Sequence, residues 1–161
     1  MSYHMRRKEL EIKDPAKLKK ILKSVKYVTI ALAKDDQPYL VSLSHGYDEA
    51  NNCIYFHCAN EGKKIDYLKA NNVVWGQALL DGGYQEDECN HSFATTQFRG
   101  KVTFLKDVEE KQQAAECMIK QLNKKPKKMM TDTTPEKLKT TTFGRIDIEY
   151  MSGKKHGEID I

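Results

Sequence analysis

The sequence is short of apolar side chains. Leu, Ile, Val and Phe fill 34 of its 161 positions, close to the ~20% below which a chain of large net charge stays disordered. A formal net charge of only +4 leaves folding feasible, with one domain and a thin core as the expectation. No apolar run approaches the ~18 residues of a membrane span. The charged start, Met1, Ser2, Tyr3, His4, Met5, Arg6, Arg7 and Lys8, has no apolar stretch behind it that would make a signal peptide. A cytoplasmic protein without a membrane partner is expected. Cys53, Cys58, Cys89 and Cys117 form no C-x-x-C pair, and in a reducing compartment they are expected as thiols. Their spacing with His57 and His91 matches no zinc pattern, so no metal is expected. Arginine is scarce: among 27 basic residues, Arg6, Arg7, Arg99 and Arg145 alone carry the planar fork that dominates base and phosphate recognition. With no recognised motif beside the lysines, nucleic acid is not an expected partner. The G-x-G-x-x-G and G-x-x-x-x-G-K-[ST] loops are also missing, which excludes the common dinucleotide and nucleoside triphosphate folds.

What is present is a series of short, well-punctuated elements behind an expected N-terminal arm over 1–13. Asp14-Pro15 opens a helix as N-cap and first-turn proline, and Leu18, Ile21, Leu22 and Val25 follow at helical spacing. Residues 27–33 and 39–44 form two strands around the turn residues 34–38. A second turn, 47–52, leads into a strand over 53–59. Alternation there places Ile54, Phe56 and Cys58 on one face, with Tyr55 and His57 on the other. A helix over 62–70 and a strand over 73–80 come next, then a polar, acidic loop over 81–90. A long strand over 93–105 is bent at Gly100, where a glycine marks a bulge. Asp107 with Glu110 resembles a capping box before a helix striped with Val108, Ala115, Met118, Ile119 and Leu122. Residues 124–139 form a mobile connection with a short helix beginning at Thr134-Pro135. A last strand covers 140–151, and 153–161 is a polar tail. Six strands with few helices predict a mainly β fold, a small antiparallel barrel decorated by helices.

Chemistry concentrates in one place. Gly62-Lys63-Lys64 sets two ammonium groups in the first turn of a helix whose free N–H groups already favour anions. Cations there oppose the helix dipole, and a bound phosphate offsets that conflict; two solvated lysines are the plain alternative. His57 lies a few residues earlier at a strand end, open to a structural role or to a role beside whatever the turn binds. No triad pattern surrounds any cysteine.

Met5-Arg6-Arg7-Lys8, Pro38-Tyr39-Leu40-Val41-Ser42-Leu43, and above all Ile54-Tyr55-Phe56-His57 followed by Glu61-Gly62-Lys63-Lys64-Ile65-Asp66 resemble the 5-nitroimidazole-resistance (Nim) family. That family belongs to the flavin-binding split barrels related to pyridoxamine 5′-phosphate oxidase. The resemblance spans about residues 5–155 and includes Arg99-Gly100-Lys101-Val102 and Ser152-Gly153-Lys154. It implies a six-stranded antiparallel split β-barrel that forms a homodimer and binds one FMN per subunit in clefts at the interface. Val41, Ser42 and Leu43 would lie along the isoalloxazine edge through backbone groups. Phe56, His57, Lys63 and Lys64 would contact the ribityl chain and phosphate, and Thr95 would reach the flavin from the other subunit. His57 also matches the histidine placed near substrate, which implies a proton donor or orienting group for reduction of a small flat electrophile such as a nitroaromatic. The chain departs from the family at Phe93-Ala94-Thr95, where an aromatic-Arg-Ser segment is common, and at Met151, often a tryptophan. A non-catalytic module for flavin, deazaflavin or haem, or a nucleic-acid-binding barrel, would use the same architecture.

Overall fold

The computed structural model describes residues 5–161, so Met1 to His4 of the expected arm over 1–13 lie outside the described residues. The rest of the arm is anchored: Glu11 bridges to Lys154, and the Ile12 N–H donates to the Gly153 carbonyl at 3.0 Å.

Helix α1, Pro15–Ser24, starts where Asp14 accepts a hydrogen bond from the Ala16 N–H at 2.9 Å, and it buries Leu18, Ile21 and Leu22. Strands β1, Tyr27–Lys34, and β2, Gln37–Ser44, form a hairpin. Its two turn residues, Asp35 and Asp36, both take positive φ, 49° and 59°, the twist that matches right-handed strands. Strands β3, Gly46–Asp48, and β4, Cys53–Cys58, follow, then helix α2, Lys63–Ala70. A long hairpin joins β5, Val73–Gln85, to β6, Asn90–Phe104. Asp107 caps α3, Val108–Leu122, by accepting from the N–H groups of Glu109 and Glu110 at 2.8 and 3.1 Å. Two short helices, α4 at Pro126–Thr131 and α5 at Pro135–Thr140, lead to the last strand, β7, Thr142–His156.

The strands form one antiparallel sheet in the order β2-β1-β5-β6-β7-β4-β3. The sheet curls until β2 lies against β4, with no ladder between them. That gap is the split in the barrel. Seven strands replace the six expected, because Gly46–Asp48 pairs with β4 where turn residues had suggested only a turn. The connection over 124–139 is largely helical, and the expected polar tail is strand as far as His156, held by the ladder to Phe93–Thr96. The bulge expected at Gly100 is there, as a register shift between Arg99 and Gly100.

Inside the barrel, Val28, Ile30, Ile54, Phe56, Phe98 and Ile146 are fully buried beneath α1. Gly144 makes room for Phe56: a Cβ there would fall 2.2 Å from its ring. A second apolar cluster lies on the other face of β4, where α3 and α5 cover Cys53, Tyr55 and Phe143. The helix rests directly on Gly46, where a Cβ would meet the Met118 backbone nitrogen at 2.6 Å.

His45 and Gln121 join the two layers. The Gln121 side chain donates to the carbonyls of Leu22 and Val25 at 3.0 and 2.9 Å and accepts from the Tyr47 N–H. His45 is fully buried, with Nε2 2.9 Å from the Leu22 carbonyl oxygen and Nδ1 without a hydrogen bond among the described residues. Burial holds its imidazole below the ordinary 6.5, against the pull of the Leu22 and Lys26 main chain. Below that value the unfolded chain binds a proton that the native state refuses, so stability is complete above it and is lost as the pH falls. Between about pH 7 and pH 5 the Tm is expected to drop by roughly 3–5 °C per pKa unit of depression. His45→Gln should flatten that slope in thermal melts; an unchanged slope would remove His45 as its cause.

Candidate functional site

The start of α2 faces the split. Its N-cap is Gly62, at φ 119°, which has no side chain to satisfy the first-turn N–H groups. Among the described residues no side chain caps those donors, which leaves them to an anion. Lys63 is exposed and Lys64 half-buried. The Lys63 ammonium sits 4.5 Å from the Tyr39 ring centre and 5.5 Å from that of Tyr67, while the two rings meet edge to face at 5.3 Å. Tyr39 is on β2, so this cation–π pairing clamps the helix start to the strand bordering the split. On the other border, burial pushes the Cys58 thiol up while the nearby Lys64 charge pulls it down. Lys63 is thus set against β2, and the Lys64 charge is felt at Cys58, the last residue of β4.

On β2, Val41 is half-buried against the core, Leu43 is buried, and Ser42 is exposed with its hydroxyl 2.9 Å from that of Thr29. β2 is an edge strand, so its outer main-chain groups face the split without a partner strand. Phe56 is fully buried. It backs the site from the core.

His57 goes elsewhere. The alternation expected along β4 holds, but the face it shares with Tyr55 is the one roofed by α3 and α5. Its ring lies 6.1 Å from that of Phe143, at the margin of a cavity of about 570 Å³ walled by α3, α4 and α5. His57 thus stands at the end of β4 with Lys64 and Cys58 on one side and this cavity on the other.

Thr95, 8% exposed, accepts a hydrogen bond from the Lys154 N–H at 3.4 Å. In the sheet order β1 and β5 separate it from β2, about 14 Å at the usual strand spacing. One chain does not bring it to the other residues. It shares its sheet face with Leu40, Trp75, Leu79 and Tyr150, which are 65%, 38%, 49% and 36% exposed. This apolar face, the Tyr39–Lys63–Tyr67 clamp and the helical cavity were not found from the sequence. Lys63 and Tyr67 at helical spacing were the one local hint.

Among the described residues no group of three or more His, Cys, Asp or Glu side chains is placed to hold a metal ion, and no helix is long and apolar enough to cross a membrane. Arg7, Arg99 and Arg145 are engaged with Glu9, Glu149 and Asp147.

The sequence matches the family described as pyridoxamine 5′-phosphate oxidase over residues 14–155. No curated protein matches it. Among solved structures, a candidate 5-nitroimidazole antibiotic resistance protein from Bacteroides thetaiotaomicron is 23% identical, with a TM-score of 0.77 and 95% of each chain covered. An FAD-binding protein from Mesorhizobium loti is 25% identical, with a TM-score of 0.66, covering 89% of this chain and 96% of that one. A flavocytochrome from Azotobacter vinelandii is 16% identical, with a TM-score of 0.79, covering 99% of this chain and 76% of that one.

Proposed function

Because the chain belongs to the pyridoxamine 5′-phosphate oxidase family, we propose that it is a homodimeric flavoprotein that binds FMN and reduces a small flat electrophile such as a nitroaromatic. The observation that carries this is the uncapped, doubly cationic start of α2 at the split between β2 and β4. A phosphate dianion needs fixed cations and N–H donors, and these residues supply both. The flavin, when bound, supplies the redox chemistry.

The chain's own residues do the rest. Lys63 and Lys64 hold the phosphate, and the β2 edge at Val41, Ser42 and Leu43 offers main-chain donors and acceptors to a flat ring. His57, at the margin of the cavity, orients the substrate or gives it a proton. The exposed Leu40, Trp75, Leu79 and Tyr150 are the face on which a second copy docks. Thr95 belongs to that face, so it is a partner subunit's Thr95 that reaches the flavin.

The visible spectrum of the purified protein tests this. Oxidised-flavin absorption and a Tm raised by added FMN are expected. A haem or deazaflavin spectrum, or no chromophore and no response to FMN, would overturn it.

A further inference from the structure

The cavity walled by α3, α4 and α5 holds about 570 Å³, within the roughly 300–1,000 Å³ span of small-molecule pockets. Met118, Ile119, Leu122 and Leu138 line it, and Met129 of α4, 45% exposed, carries the apolar lining out to solvent. Among the described residues the only rings in its wall are His57 and Phe143, which pack on each other at one margin. The rest is aliphatic or thioether. Unbranched, flexible methionines adapt to a partner of variable shape, such as an alkyl chain, better than they define a slot for a flat ring.

The polar side chains of the wall are mostly spent on the main chain. The Asn123 amide donates to the Ile119 carbonyl, the Thr133 hydroxyl to that of Met129, and the Thr141 hydroxyl to that of Lys137, at 3.2, 2.9 and 2.8 Å. Lys137 is different. Its ammonium donates to the Asp132 carbonyl at 2.8 Å and has no carboxylate partner among the described residues, so its charge and two of its three donors are unused. The Asp132 carboxylate lines the cavity as well and opposes a second negative charge. The wall therefore suits a monoanion. The surrounding segment draws one in: residues 124–139 hold six lysines against Asp132 and Glu136, an excess equal to the whole chain's net charge of +4.

We propose that this cavity is a binding site for a long-chain aliphatic monocarboxylate, a fatty acid. The chain leaves water among the methionines and leucines, and the carboxylate stays at the solvent edge on the exposed Lys137. A saturated chain carries no group for a flavin to reduce, so this occupant is not the substrate proposed above, and the site needs no flavin. Its chain would tie α4 and α5 to α3.

Titration calorimetry with monomeric sodium laurate tests this, with butyrate as the same head without the long chain and decyltrimethylammonium as a chain of opposite charge. A single laurate per protomer is expected, bound at least roughly hundredfold more tightly than butyrate and tenfold more tightly than the cation. Laurate should also raise the Tm, because it binds the folded state. Lys137→Glu, at an exposed position, should weaken laurate by roughly tenfold or more, while Lys128→Glu on α4, the same change of net charge outside the cavity wall, costs less than about threefold. Ala115→Phe fills the floor and should weaken laurate as much as Lys137→Glu does. Equal effects of the two glutamate variants, butyrate binding as tightly as laurate, or a Tm lowered by laurate would each overturn the site. Sedimentation with phosphatidylglycerol vesicles in the absence of any laurate binding would also overturn it, in favour of a membrane surface.

Discussion

Exchanging both Lys63 and Lys64 for alanine is expected to strip the protein of flavin. A hydrogen bond to a charged group contributes about 1.5–3 kcal/mol, and the pair would lose two of them at a phosphate, a fall of roughly 10²- to 10⁴-fold in affinity. The informative control is Lys127→Ala with Lys128→Ala on α4, which removes the same net charge from exposed positions. Long-range attraction would weaken equally in both proteins, and screening at ordinary salt makes that part small. Flavin fluorescence during titration with FMN reads the difference directly. Equal losses in the two doubles would refute the phosphate site.

The second large effect is structural. Lys111 is 8% exposed, and its ammonium donates to the carbonyls of Leu138 and Thr141 at 3.1 and 2.9 Å. These carbonyls lie at the end of α5, where helical partners have run out. Lys111→Met keeps most of the side-chain volume but takes the charged donor from both oxygens, leaving the Leu138 carbonyl with only the Thr141 N–H and the half-buried Thr141 carbonyl without its ammonium partner. A loss of about 2–4 kcal/mol is expected, or roughly 5–15 °C in Tm. The same change should loosen α5, which brings Leu138 and Lys137 to the cavity. A Tm within about 2 °C of the wild type would show that the helix end is satisfied some other way.

Much of this architecture was legible because its signals are local. Asp14-Pro15, the Asp35-Asp36 turn, Gly100 and Asp107 each specify backbone geometry within a few residues, and each stands where expected. The short strand Gly46–Asp48 was hidden because its existence depends on pairing with β4 and on the weight of α3 above it. The end of β7 was hidden for a similar reason: a polar stretch becomes strand when a neighbouring ladder supplies the hydrogen bonds. At the site, the adjacent lysines could be read as an anion-binding turn. Their setting by Tyr39 could not, since that contact is made only when β2 and α2 are both in place. His57 shows the same limit. Period-two alternation assigns it the face of Tyr55, but the identity of what covers that face is a property of α3, α4 and α5.

The sheet order also dictates a history for the chain. β7 lies between β6 and β4, so it pairs with strands on both sides. Until it is synthesised, β3 and β4 have no ladder joining them to the rest of the sheet, and the apolar side chains of Ile54 and Phe56 have no barrel to close around them. Folding is thus expected to be slow and to finish after the final strand has left the ribosome, as for other sheets dominated by distant pairings. In that interval the exposed β4 segment is the part of the nascent protein most in need of a chaperone.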